Sequence, residues 1–72
     1  MISIYGKDFC PYCDKAVALV EQKGEQYEYK KLGRDFTRDD LMETFPGART
    51  FPQIIYKGEK IGGYDNLVEK YQ

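Results

Sequence analysis

The chain opens with two strand-like stretches separated by one helical stretch, and this order constrains the fold more than any other feature. Ile2 and Ile4 alternate with polar or small residues, the period-two pattern of a short strand. Gly6 ends that segment, and Lys7-Asp8-Phe9 reads as a loop. Pro11 suits the first position of a helix, because the N–H it lacks is one that a helix start leaves unpaired anyway. Cys13, Ala16, Val17 and Val20 then recur at helical spacing, with Leu19 beside them, and Gly24 is a natural stop. The spacing predicts a helix from Pro11 to Lys23 with Cys10 at its cap. Gln26 to Leu32 carries Tyr27, Tyr29 and Leu32 among charged residues and predicts a second strand with both tyrosines on one face. A strand-helix-strand unit of this kind closes by a right-handed crossover onto a parallel strand.

The rest of the chain extends the same sheet. After a Gly33-Arg34-Asp35 loop, Thr37 is placed to cap a second helix, with Asp40 three residues on. Phe36 and Leu41 occupy the positions of a hydrophobic staple. Leu41, Met42 and Phe45 are expected to form the buried stripe of this helix, which Pro46-Gly47 ends. Thr50-Phe51-Pro52 leads into Gln53-Ile54-Ile55-Tyr56, and Lys57-Gly58 turns the chain so that Glu59 to Gly62 pairs back as a hairpin. Gly62-Gly63 breaks the strand. Asp65 can cap a short terminal helix carrying Leu67, Val68 and Tyr71. The predicted order is β-α-β-α-β-β-α, an α/β fold with a four-stranded mixed sheet covered by three helices. Residues 1–72 are expected to form one domain. Tyr27, Tyr29, Tyr56 and Tyr71 are read as sheet and helix packing, because tyrosine supplies amphipathic core bulk in a chain without tryptophan.

Composition narrows the function classes. Eleven Lys and Arg stand against twelve Asp and Glu, for a formal charge of −1, and the charges are interspersed. This balance gives no support to a nucleic-acid or polybasic membrane role. No apolar run approaches the ~18 residues of a spanning helix, and Met1-Ile2-Ser3-Ile4-Tyr5 does not look like a signal peptide. A cytosolic location is the default expectation. There are no histidines, which removes Ser-His and Cys-His catalysis and His metal sites.

What remains is one concentrated piece of chemistry, Cys10-Pro11-Tyr12-Cys13, which holds both cysteines. Cysteines this close shut too small a loop to constrain an unfolded chain much, so the pair reads as reactive rather than structural. A thiolate attacks disulfides, and a cysteine of ordinary pKa ~8.5 is only ~3% thiolate at pH 7. Cys10 at a helix start faces unpaired backbone N–H groups and the positive end of the helix dipole. Lys7 adds positive charge nearby. Such settings lower a thiol pKa to ~3.5–7.5 and also make the sulfur a better leaving group. Cys13, one turn on, is expected to be more buried and to act as the resolving thiol. The plainer alternative is two inert buried cysteines, but packing alone does not explain Pro11 setting Cys10 at a cap. A structural zinc site needs about four ligands, which only a dimer of this chain could complete, so no metal is expected.

These residues resemble the glutaredoxin family in three motifs that keep their order and spacing. They are Lys7 with Cys10-Pro11-Tyr12-Cys13, then Thr50-Phe51-Pro52-Gln53-Ile54, then Gly62-Gly63-Tyr64-Asp65. The similarity is to compact dithiol glutaredoxins of bacteria and bacteriophages. The resemblance implies the minimal thioredoxin fold and a cis peptide bond before Pro52, where the bottom-up alternative is a trans strand-edge proline. It implies catalysis by Cys10 as nucleophile and Cys13 as resolving thiol, with glutathione as reducing co-substrate. For the glutathione site it implies Lys7 on the glycine carboxylate, Tyr12 lining the groove, and Thr50, Phe51 and Pro52 along the cysteinyl part. Gly63, Tyr64 and Asp65 would meet the γ-glutamyl end. Read from the residues alone, Gly62-Gly63 is a strand break, Asp65 a helix cap and Arg49 a surface arginine. Phe51 stands where valine is common in the family, and Tyr64 where small residues or cysteine are common. The larger Phe51 ring is expected to reshape the groove or to add contact with a protein substrate.

The implied activity is a glutathione-dependent thiol–disulfide oxidoreductase, acting as a monomer. Its implied partners are glutathione and disulfide-containing or glutathionylated proteins, ribonucleotide reductase among them. Two alternatives stay open. One is a glutaredoxin-like electron donor reduced by thioredoxin reductase. The other is a glutathione-ligated iron–sulfur cluster carrier, which Pro11 disfavours.

Overall fold

The computed structural model describes residues 1–72. Its elements are β1 (Ile2–Gly6), α1 (Pro11–Gln22), β2 (Tyr27–Lys31), α2 (Arg38–Thr44), β3 (Gln53–Tyr56), β4 (Glu59–Gly62) and α3 (Tyr64–Lys70). The sheet runs β2-β1-β3-β4. β1 and β2 are parallel, with Ile2 beside Tyr27 and Ile4 beside Tyr29. β3 is antiparallel to β1, and β4 to β3. The predicted order and the mixed sheet are therefore both present. No helix is long and apolar enough to cross a membrane.

The period-two pattern of β1 sorts its side chains onto two faces. Ile2 and Ile4 point to one face and meet Ala16 and Val20 of α1, Ile54 of β3 and Leu67 of α3, all with no exposed surface. Burying each of the larger aliphatic side chains is worth ~1.5–3 kcal/mol. Tyr27, Tyr29, Tyr56 and Tyr71 pack around this cluster. Tyr5 points the other way and meets Phe36 and Phe45 edge-on, with ring centroids 5.2 and 5.1 Å apart. These rings and Leu41 make a second, smaller core beneath α2. Sequence reading named the members of the first core only within their separate elements and treated Phe36 and Phe45 only as helix residues; it did not find Tyr5 between them.

Two expectations are corrected. Met42 is not part of the buried stripe; it is 39% exposed. Leu41 and Phe45, four residues apart, share the inward face of α2, and Met42 lies about 100° round the helix from Leu41. Asp65 is not the cap of α3. That helix begins two residues earlier than expected, Gly63 takes the cap position, and Asn66 Oδ1 accepts from the Gly63 N–H at 3.2 Å. The α2 cap is as predicted: Asp40 N–H donates to Thr37 Oγ1, and Thr37 N–H donates to the Asp40 carboxylate at 2.9 Å.

Gly24 ends α1 in the left-handed region, at φ 70°. Its N–H donates to the Glu21 carbonyl, and the Glu25 N–H reaches back to the Val20 carbonyl, each at 3.0 Å. This is the glycine-dependent closure that satisfies the last carbonyls of a helix. It also delivers Glu25 to a junction of three elements. Glu25 accepts from Tyr71 O–H at 3.0 Å and Tyr56 O–H at 3.4 Å, and pairs with Lys57 at 3.3 Å. The Tyr71 hydroxyl, with the other two donors, holds the Glu25 carboxyl below its usual range. Burial, then the bond to Glu25, pushes the Tyr71 hydroxyl up.

A carboxyl with a lowered folded pKa stabilises the fold above its unfolded pKa, and the effect is lost as pH falls through the folded value. Glu25→Gln should therefore lower Tm at neutral pH, and the gap from wild type should close between about pH 5 and pH 3. Thermal melts across that range check this; a constant gap would refute it. Thr37→Ala should remove about 1 kcal/mol through loss of the cap, lowering Tm by ~4–8 °C.

Candidate functional site

α1 starts where Pro11 fixes its first turn, and Cys10 takes the cap position with an extended backbone, at φ −125° and ψ 96°. In that position the Cys13 N–H donates to Cys10 Sγ at 3.2 Å, and the Asp14 N–H donates to the Cys10 carbonyl at 3.2 Å. The Cys10 sulfur thus holds the place of a capping oxygen and receives an amide that would otherwise be unpaired. The same donor stabilises negative charge on that sulfur when the pair is reduced. The cysteines lie 5.2 Å apart at Cα and are joined as a disulfide. Cys10 keeps 8% of its surface exposed and Cys13 none. Incoming sulfur therefore meets Cys10 first.

A cleft of about 260 Å³ opens at Tyr12, one of the two residues between the cysteines. Tyr12 forms one side of it, and Thr50, Phe51 and Pro52 form the loop side. The start of α3 closes it with Gly63, Tyr64, Asp65 and Asn66. Every residue assigned to the groove from the sequence lines this cleft except Lys7. The Phe51-Pro52 bond is cis. The rings of Tyr12 and Tyr64 face each other across the cleft, with centroids 5.8 Å apart. Lys15 Nζ lies 4.9 Å from the Tyr12 ring centroid, so a cation backs the tyrosine on α1.

Phe51 is placed differently from what its size suggested. Its ring leans on Phe36, with centroids 6.5 Å apart, as part of the second core. Lys7 Nζ lies over the same ring, 5.7 Å from its centroid. The ring is half-buried, and Lys7 itself lines a separate groove on the other flank of α1. The extra bulk is thus partly absorbed by the core.

Two contributors escaped sequence reading. Gln53 is buried, and its Nε2 donates to the Thr50 carbonyl at 2.9 Å, pinning the segment that carries Phe51 and Pro52. A lone amide ahead of Ile54-Ile55 was the available signal. Asn66 lines the cleft and accepts from Gly63 N–H; only the exact start of α3 would have revealed it.

Similarity to known proteins agrees with this geometry. The Glutaredoxin family model matches residues 2–61. The chain is 35% identical over 66 residues to glutaredoxin 3 of Escherichia coli K12, covering 92% of this chain and 80% of that protein. It is 43% identical over 70 residues to the hybrid peroxiredoxin hyPrx5 of Haemophilus influenzae, of which it spans 28%. Among solved structures, the buckwheat glutaredoxin–glutathione complex superposes with a TM-score of 0.81 at 29% identity, over 97% of this chain and 66% of that one. Reduced Escherichia coli glutaredoxin gives 0.79 at 30% identity, over 96% and 89%. With a helix-capping cysteine, its buried partner and a cleft beside a cis proline, the chain belongs to the glutaredoxin family of thiol–disulfide oxidoreductases.

Proposed function

We propose that this chain uses glutathione to reduce protein disulfides and protein–glutathione mixed disulfides, as a monomer in a reducing, cytosolic compartment. The observation that carries the reading is the Cys13 N–H on Cys10 Sγ, beside a cleft built from Tyr12, the Thr50-Phe51-Pro52 loop and the α3 start. The Cys10 thiolate attacks one sulfur of a substrate disulfide. A bond to Cys10 forms, the substrate bond breaks, and the departing thiolate takes a proton from water. The Cys13 thiol then loses its proton, attacks Cys10 Sγ and releases the second substrate thiol. The Cys10–Cys13 disulfide results.

Glutathione reverses this. Its thiolate attacks Cys10 Sγ, the exposed sulfur of the pair, and expels Cys13. A second glutathione attacks the glutathione sulfur and leaves as glutathione disulfide, so two thiols are oxidised for each disulfide reduced. In this reading the glutathione chain lies along Phe51 and Pro52. Its γ-glutamyl end meets Gly63, Tyr64 and Asp65, and Lys7 binds its glycine carboxylate. The similarity to a glutaredoxin solved as a glutathione complex supports glutathione as the partner. A disulfide of ribonucleotide reductase is one proposed protein substrate. The similarity to a hybrid peroxiredoxin favours a second, the disulfide of a peroxiredoxin.

Glutathione-coupled reduction of a glutathionylated peptide tests the reading. Cys10→Ser should abolish turnover and Cys13→Ser should leave most of it, since the monothiol route needs only Cys10. Turnover with thioredoxin reductase but none with glutathione would overturn the proposed donor. In the reduced protein, iodoacetamide at about pH 6 should modify Cys10 at least ~10-fold faster than Cys13, measured by mass spectrometry of timed digests.

A further inference from the structure

A second groove lies on the other flank of α1. Tyr12 and Lys15 face the cleft side of that helix, whereas Asp14, Val17, Ala18 and Glu21 face the open edge of the sheet. There α1 and β2 enclose a groove of about 480 Å³, with Tyr27 and Tyr29 contributed by β2. Its hydroxyls are tied down: Tyr27 O–H donates to Glu21 at 2.8 Å and Tyr29 O–H to the Lys7 carbonyl at 3.4 Å. The Tyr29 ring also explains Gly6, because a Cβ there would stand 2.8 Å from two carbons of that ring.

Phe9 stands at the end of this groove nearest Cys10. It is fully exposed and holds a left-handed backbone, φ 57°, that a bulky side chain rarely adopts. A single exposed phenylalanine is ordinary. This one precedes Cys10 in the chain and lines the groove together with Val17, Ala18, Tyr27 and Tyr29.

The groove is lined by three carboxylates, those of Asp8, Asp14 and Glu21, and by two lysines, Lys7 and Lys31. Asp8 is paired with Lys31 at 3.3 Å, and Lys7 sends its ammonium over Phe51 instead. Asp14 and Glu21 have no cationic partner. Burial, and then the carboxylates of Asp14 and Asp8, push the Tyr29 hydroxyl up against an opposing pull from Arg34, which places all three charges in the field of the groove.

We propose that this groove docks an extended segment of a disulfide-bearing protein substrate in which an apolar side chain is flanked by lysine or arginine. The proposal rests on the thiol–disulfide activity above and names the substrates it favours. A chain joined to Cys10 in a mixed disulfide has two ways to leave the sulfur. One is the cleft proposed for glutathione; the other passes Phe9 into the acidic groove, where its apolar side chain covers Val17 and Tyr29.

Two short peptides of equal length test this, each closed by one disulfide and carrying either an Arg-Leu-Arg or a Glu-Leu-Glu tail. Turnover is followed with glutathione at low salt. Wild type should reduce the arginine peptide with a kcat/KM about fivefold higher, the size of one favourable exposed charge contact. Glu21→Lys should abolish or reverse the preference, and raising salt from about 20 to about 500 mM should shrink it in wild type. Bis(2-hydroxyethyl) disulfide, too small to reach Glu21, should be reduced by Glu21→Lys at the wild-type rate. Equal turnover of both peptides, or the same preference in Glu21→Lys, would overturn the groove. Should wild type fail on the small disulfide, the activity itself is wrong, and docking is then read without turnover. Titrating the arginine peptide with both cysteines replaced by serine should shift the amide resonances of Val17, Ala18 and Glu21; no shift there would overturn the proposal.

Discussion

The burial of α1 against β1 holds this molecule together. Ala16 and Val20 press on Ile2 and Ile4 with no surface left to water, and Cys13 continues the same buried stripe toward the helix start. One helical face thus does two tasks. It supplies the main core, and it fixes the first turn of α1, including the amide of Cys13 that points at Cys10 Sγ. The reactive sulfur is positioned by packing that begins two turns away. The parallel β1–β2 pairing follows from the same contact, since α1 is the crossover that joins them.

Around this framework the two cysteines divide their roles by depth. Cys10 belongs to the cap, where backbone amides have no partner within the helix. Cys13 belongs to the core. The chain places them three residues apart, and the helix converts that short spacing into one sulfur at the surface and one beneath it. At the helix terminus the unpaired amides and the dipole favour negative charge on the Cys10 sulfur.

Much of this was legible in the sequence because the signals were local. Element order, Cys10 at the cap, the Thr37–Asp40 box and the Gly24 stop each depend on a few adjacent residues. Cleft residues came from motif resemblance, and Tyr12, Thr50, Phe51, Pro52, Gly63, Tyr64 and Asp65 do meet in space. What escaped was set by tertiary contact. Met42 has the composition of a core residue, but a seven-residue helix offers only one face to the sheet. Asp65 is a good capping residue displaced by a competitor, because Asn66 reaches the Gly63 amide instead. Phe51 lines the cleft as expected, and what was not read is its further contact with Phe36 of a distant segment. Glu25 gave no sign in one dimension that Tyr56, Lys57 and Tyr71 would converge on it.

The junction at Glu25 bears on how the cleft survives thermal motion. α3 has seven residues, too few to persist as a helix without tertiary support. It is anchored by Leu67 in the core and by Tyr71 on Glu25, while its first turn forms one wall of the cleft. The cysteine pair rests on α1, which shares the Leu67 anchor through Ala16 and Val20. Detachment of α3 would dismantle the wall and also uncover the core face of α1, so the two halves of the site are coupled through Leu67.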